Sequence, residues 1–412
     1  MYKTFFYLKA FLKKFTQTRP STLFNSGLRL REILTFVSMH QKRVYMTASS
    51  DLATDNRVHR TCTVLQDLGY QIHLVGRKKK NSPVMPQRTY RVRRLELRFE
   101  KGLLFYAALN LRLFFILLFE KYDFLFANDL DTLPAAFLAS RLKRKPLLYD
   151  SHELFTEVPE LVTRPKVQKV WVVLEKIMVP RIGEIITVNQ SIAAIFEQKY
   201  HIKSNVVRNV PMRHEKIEAH PKAFLGLTDA QTMLIIQGSG LNVQRGIEEA
   251  VMAMALIPRA VLFLVGDGDV IAHVKKLVVQ LQLQEQIRFV GRVPYNELLK
   301  YTAAADLGLA LDKPLSLNYA LALPNKVFDY IQAGTPIVAS ALIEIETLIN
   351  RHNCGVILPE VTPQVIAQKI NDLIDHPERI TAYKNNCLKA AQVENWETDK
   401  QVLMEVVRRV FV

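Results

Sequence analysis

Residues 323–340 read LPNKVFDYIQAGTPIVAS. The pattern is a short loop, a helix and a buried strand. Pro324 suits the first helical position and Gly334 the residue just past the helix end. Ile337, Val338 and Ala339 give the unbroken apolar run of a parallel strand. Asn325 and Lys326 fall in the first helical turn, and Asp329 lies four residues beyond Asn325 on the same face. Free N–H groups at a helix start, joined by a lysine, suit an anion. A carboxylate one turn further in accepts hydrogen bonds from sugar hydroxyls. The constellation predicts a site for a nucleotide attached to a sugar. A well-capped helix with a solvated polar face is the plainer alternative.

Strand and helix alternate on both sides of this stretch. Upstream, Thr232–Gln237, Ala260–Val265, Ile287–Val290 and Leu307–Leu311 read as strands separated by helices, one of them over Arg245–Leu256. A similar series runs earlier, with strands at Val44–Ala48, Gln71–Val75, Phe124–Ala127, Pro146–Tyr149 and Ile185–Val188. Short connections between such elements are the signature of parallel doubly wound sheets. The polar stretch 211–230 separates the two series. The chain is thus predicted to be α/β, with two Rossmann-like domains facing a cleft. The boundaries are a basic amphipathic extension over 1–42, an acceptor domain over 43–210, a linker over 211–230, a donor domain over 231–395 and a final helix over 396–412.

Composition agrees with that size. A chain of 412 residues exceeds one ordinary core. It is 49% hydrophobic, which excludes a disordered chain. The cysteines Cys62, Cys354 and Cys387 lie far apart without metal-ligand spacing, which fits a reducing, cytoplasmic compartment. A net charge of +16 calls for an acidic partner. No zinc-finger spacing or RRM-like aromatic motif accompanies the basic residues, so an anionic membrane surface is favoured over nucleic acid. The start, MYKTFFYLKAFLKKF, resembles an interfacial amphipathic helix more than a signal peptide. Leu103–Phe119 is the most apolar segment, and Asn110 and Arg112 make it a poor spanning helix. A core helix is the first reading, and a membrane-facing helix on a peripheral protein the second.

In doubly wound sheets, ligands sit outside the carboxyl ends of the strands. After Thr232–Gln237 come Gly238, Ser239 and Gly240, then Arg245 at a helix start. Glycines let a backbone approach phosphate, and an arginine adds a bidentate contact. Arg292 and Val293 follow Ile287–Val290, where the backbone suits a flat base. In the first series, Asp150, Ser151, His152 and Glu153 follow Pro146–Tyr149. A histidine flanked by two acids at a strand end is a candidate site residue. Asp51, Asp55 and Arg57 follow the first strand and are candidates for binding an acceptor. Helix capping is the plainer role for Asp55.

These segments together resemble the retaining nucleotide-sugar glycosyltransferases of the GT-B fold, group 1 (family 4). The resemblance runs from Arg43 to the C-terminus. It rests on DNRVHRTCTVLQDLGY, ANDLDTLPAAFLA, YDSHELF, the GSG and QRG turns, FLVGDGD, IRFVGRVP and PNKVFDYIQAGTPIVAS. It implies C-terminal helices that cross back to the first domain. It implies a donor diphosphate held by Arg245, with Ser239 in place of an arginine that many members carry. It implies ribose recognition by Asp329, with Leu321 where the first acid of the family's acidic pair belongs. Pro324, Asn325 and Lys326 would supply donor contacts instead. His152 falls near the transferred sugar.

The predicted reaction is sugar transfer from a nucleoside diphosphate sugar to a hydroxyl of a glycan or lipid-linked acceptor. Cell-surface polysaccharide, lipopolysaccharide or glycolipid synthesis is its expected setting. Catalysis is assigned to His152, Arg245 and Lys326, and acceptor binding to Asp51, Asp55, Arg57 and Glu153. Donor binding is assigned to Gly238, Ser239, Gly240, Arg245, Arg292, Val293, Asn325, Lys326 and Asp329. No cofactor beyond the co-substrate and no metal is expected, because cationic side chains and helix N-termini can balance the leaving diphosphate. A nucleotide-sugar epimerase on the same fold and a catalytically degenerate membrane scaffold are the alternatives.

Overall fold

The computed structural model describes residues 41–238 and 240–411. The predicted N-terminal interfacial helix and Ser239 lie outside the described residues. Seven strands form the first sheet: Arg43–Asp51 (β1), Gln71–Lys78 (β2), Arg91–Glu96 (β3), Phe124–Asn128 (β4), Leu147–Ser151 (β5), Glu184–Thr187 (β6) and Lys203–Val206 (β7). Their order is β3-β2-β1-β4-β5-β6-β7, and every pairing is parallel. Six more form the second: Thr232–Gly238 (β8), Ala260–Gly266 (β9), Ile287–Gly291 (β10), Leu307–Ala310 (β11), Ile337–Ser340 (β12) and Gly355–Leu358 (β13). Their order is β10-β9-β8-β11-β12-β13, again all parallel. β1 lies between β2 and β4, and β8 between β9 and β11. At such switch points the winding reverses and a crevice opens beyond the strand ends.

Local chemistry explains the element ends. Asp55 caps the helix Asn56–Asp67, its carboxylate accepting from the Val58 N–H at 2.9 Å. The helix Asn325–Ala333 begins just after Pro324 and ends at Gly334, whose φ of 69° few other residues adopt without strain. Val327, Phe328, Tyr330 and Ile331 of that helix are fully buried, each worth roughly 1.5–3 kcal/mol of burial. β3 escapes sequence reading. Its residues, RVRRLE, look like a charged run, and Leu95 alone is buried. It is an edge strand, where charge is tolerated and blocks further pairing.

One face of the first sheet is covered by the helices Gly102–Phe119, Leu133–Lys143, Pro165–Met178 and Gln190–Tyr200. A second core runs from the other face through the segment 211–230, where Leu225 and Leu227 are buried, into the second domain. The last helix, Trp396–Val410, returns to the first domain. Phe411 stacks on Phe124 with ring centroids 4.4 Å apart, and the Trp396 N–H donates to the Pro211 carbonyl at 2.8 Å. Arg208 is gripped by Asp399 and Glu394. A further contact joins the domains, Asn189 Nδ2 donating to the Leu321 carbonyl at 2.7 Å. Leu321, in the first acid's place, is buried against the first domain.

Candidate active site

A cleft of about 900 Å³ opens between the two sheets at their carboxyl ends. Its first-domain wall includes Asp55, Arg57, Arg60 and His152. Its second-domain wall includes Gly238, Gly240, Arg245, Asn325, Lys326 and Asp329.

The second wall is organised by a residue that sequence reasoning missed. Asp312 follows β11 and is 1% exposed. Arg245 Nη1 pairs with its Oδ1, and Lys326 Nζ lies 2.8 Å from its Oδ2. Burial opposes the charge on Asp312, but Lys326 and Arg245 outweigh it and hold the carboxyl below its ordinary range. The trio carries a net +1 beside the N-terminus of the helix Asn325–Ala333. The Arg245 guanidinium also lies over the Tyr319 ring, 4.6 Å from its centroid. Two cations fixed to one buried carboxylate form a preorganised receptor for an anion.

Arg245 is not in the helix that follows, as its sequence position suggested. That helix begins at Ile247, and Gly246 turns the chain with φ 72°. A Cβ at Gly246 would fall 2.4 Å from the Leu311 carbonyl oxygen. Gly246→Ala is expected to destabilise by more than the roughly 1–2 kcal/mol of a left-handed residue, because backbone must also shift. A lowered urea midpoint measures it, and an unchanged midpoint refutes this account of the turn.

Asp329 lines the cleft but is already engaged. Its Oδ1 accepts from the Tyr295 hydroxyl at 2.8 Å and its Oδ2 from Gln237 Nε2 at 3.1 Å. Burial pushes the carboxyl up to about 6 against these hydrogen bonds. Each oxygen keeps a lone pair for a ligand hydroxyl. Arg292 lies at the rim, 3.4 Å from Asp267. Val293 is not at the cleft surface, since its side chain packs on the core.

On the first wall, His152 sits between two acids. Nδ1 lies 3.1 Å from Asp129 Oδ2 and Nε2 lies 3.2 Å from Asp150 Oδ2. The His152 N–H also donates to Asp129 Oδ1 at 3.0 Å. Burial disfavours the imidazolium, but Asp129 and Asp150 overcome it and raise its pKa to about 10. Arg57 grips Asp150 from the other side, Nε to Oδ2 at 3.1 Å and Nη2 to Oδ1 at 2.6 Å. Burial would raise the Asp150 carboxyl, yet Arg57 and His152 bring it to about 2. Asp131 lies below, and burial together with Asp129 raises it to about 7.

Two acceptor candidates stand elsewhere. Asp51 does not line the cleft. It braces a loop, its Oδ1 taking Ser82 Oγ at 2.8 Å and Arg94 Nη2 at 3.0 Å. Glu153 also points elsewhere, accepting from Asn318 Nδ2 at 3.2 Å in a contact between the domains. Both were misplaced because a strand-end position does not fix which way a loop side chain turns.

Two family models cover most of these elements. "Glycosyl transferases group 1" matches residues 226–390, and "Glycosyltransferase Family 4" matches residues 55–211. The chain belongs to the group 1 glycosyltransferases. Among its curated relatives is D-inositol 3-phosphate glycosyltransferase 1 of Catenulispora acidiphila, 28% identical over 133 residues. That match spans 32% of this chain and 30% of the relative. The GT-B architecture is shared with sucrose-phosphate synthase from Thermosynechococcus elongatus, at TM-score 0.70 and 18% identity over 90% of this chain and 99% of that one. Anabaena HepE, solved with UDP and glucose, superposes at TM-score 0.68 and 17% identity over 90% of this chain and all of its own. In this group 1 glycosyltransferase, the segments that match the two models form the two walls of the cleft.

Proposed function

We propose that this group 1 glycosyltransferase moves a sugar from a nucleoside diphosphate sugar to a hydroxyl of a glycan or lipid-linked acceptor, with retention at the anomeric carbon. The observation that carries the reading is the convergence of Arg245 and Lys326 on buried Asp312 at the cleft wall. A similar fold holding UDP and glucose in HepE supports the choice of ligand. The diphosphate lies against Arg245, Lys326 and the first N–H groups of the helix Asn325–Ala333, while Gly238 and Gly240 leave room for its approach. As the glycosidic bond opens, charge grows on the diphosphate, and these fixed groups stabilise it without reorganising. The departing phosphate oxygen takes the acceptor proton on the same face, so no protein nucleophile is required. His152, fixed as an imidazolium, orients the transferred sugar, and Asp55 with Arg57 forms the acceptor side. The reaction is placed in the cytoplasm, where buried Cys62, Cys354 and Cys387 remain thiols.

A thermal-shift series tests the donor. At a hundred-fold excess over Kd, a ligand specific to the folded state adds about 2.7 kcal/mol, which raises Tm by several degrees. Nucleoside diphosphates and their sugars are expected to give this shift, and nucleosides much less. EDTA is expected to leave turnover unchanged. A series in which no diphosphate raises Tm would remove the basis for the reading.

A further inference from the structure

We propose that the outer face of the first domain is a docking surface for an anionic lipid bilayer. Three neighbouring helices, Gly102–Phe119, Leu133–Lys143 and Pro165–Met178, cover one side of the first sheet. Only the stripe Phe105, Leu109, Leu113 and Leu117 of the first helix is buried. The rest of that helix is apolar and faces out, with Leu103, Leu111 and Phe119 77%, 59% and 78% exposed. A sheet-packed helix in water ordinarily turns polar residues outward. Here Asn110 and Arg112 are bonded within the protein, Asn110 to the Asp131 carbonyl and Arg112 to the Glu96 carbonyl. The face continues over exposed Leu138 and Leu142 on the second helix and Val170 and Ile177 on the third. Exposed apolar side chains on three neighbouring helices are the kind of face that marks an interaction surface.

The charges identify the occupant. Among the residues of these helices the acid is Glu175, and it is buried, accepting from the Tyr200 hydroxyl at 2.6 Å. The outward charges are all basic, including Arg141, Lys166 and Lys169. At the end of the second helix, Ser140, Arg141, Arg144, Lys145 and Pro146 line a cleft of about 430 Å³ beside Leu142. It is large enough for a phosphodiester headgroup. Lys145 also stands 3.6 Å from Asp123. Apolar side chains rimmed by lysine and arginine, without an exposed acid on the helices, complement anionic lipid rather than a neutral or acidic protein. The buried stripe on the sheet means the first helix docks and does not span, because withdrawing it would open the core.

These helices run antiparallel to the strands, so their N-terminal ends, including Leu103, lie at the cleft end of the sheet. If the glycosyl-transfer reading holds, a docked bilayer presents a lipid-linked acceptor at the cleft rim. Docking itself does not depend on that reading.

Co-sedimentation of the full chain with vesicles tests the surface independently of activity. Binding is expected to equimolar phosphatidylglycerol/phosphatidylcholine vesicles, and at least about ten-fold weaker binding to phosphatidylcholine alone. The double variants Leu111→Gln/Phe115→Gln and Arg141→Glu/Arg144→Glu change exposed side chains, so circular dichroism should show both folded. Each is expected to lose about ten-fold or more in partitioning. Variants that sediment like the parent would place membrane binding elsewhere and overturn the proposal. So would a parent that ignores anionic vesicles, or a dimer in analytical ultracentrifugation that the apolar variant dissolves.

Discussion

Arg245→Ala is expected to lower turnover by about a hundred- to a thousand-fold, the range seen when one preorganised donor to a developing anion is removed. The physical reason lies in the trio of Arg245, Lys326 and Asp312. With both cations present the group carries +1, and without Arg245 it is neutral. Lys326 then still pairs with Asp312 at 2.8 Å, so no buried carboxylate is stranded and the protein should fold normally. Loss of turnover with an unchanged melting point would therefore report on chemistry rather than folding. Arg245→Lys should recover part of the activity, since it restores charge but not the two-pronged geometry. Lys326→Ala should fall in the same range. The double variant should lose less than the product of the single losses, because both residues act through one carboxylate. Steady-state rates with a nucleoside diphosphate sugar decide the matter, and an Arg245→Ala enzyme with full turnover would defeat the assignment.

The largest effect on stability is expected at Asp150. Asp150→Ala removes the counter-ion of Arg57 and one of the two carboxylates that hold His152. The Arg57 and Asp150 side chains are 5% and 2% exposed. Breaking such a pair by deleting one partner costs roughly 3–5 kcal/mol, because the survivor is left charged and buried. A urea unfolding curve measures this, and a loss below about 1 kcal/mol would contradict it. The network also has a signed pH dependence. The Asp150 carboxyl is lowered from 3.8 to about 2, so its contribution is complete above 3.8 and is lost as pH falls through about 2. The His152 imidazolium is raised from 6.5 to about 10, so its contribution is complete below 6.5 and is lost as pH rises through about 10. Both are whole only between those ordinary values. Asp150→Asn should flatten the acid limb and shorten the alkaline one.

The second-domain wall of the cleft was largely legible in advance. The Asn325–Ala333 helix, Gly334, the glycines Gly238 and Gly240 at the end of β8 and the cations Arg245 and Lys326 all announce themselves through local spacing. Asp312 does not. It stands in the unpatterned run ALDKP, and its role exists only because β11 delivers it beside Arg245, 67 residues away in sequence. The first-domain wall was half legible. Asp55 and Arg57 do reach the cleft, but Asp51 is taken by Arg94 and Ser82, and Glu153 by Asn318. Asp129 carries no local signal of its role, yet with φ 61° it turns both oxygens onto His152. β3 was missed because an edge strand needs just one buried residue.

The amino-acid order by itself determined two alternating α/β halves and the helix start that carries Asn325 and Lys326. Hydrophobic period, caps and glycine turns act within a few residues, and so they can be read locally. Tertiary structure alone decided which charges meet: Arg57 with Asp150 across 93 positions, and two cations with Asp312. It also decided that the most apolar helix would bury a single stripe and leave the rest outside. A run of leucine and phenylalanine is equally hydrophobic against a protein core or a lipid core. Only the packing of the sheet beneath it shows how much of that run remains uncovered.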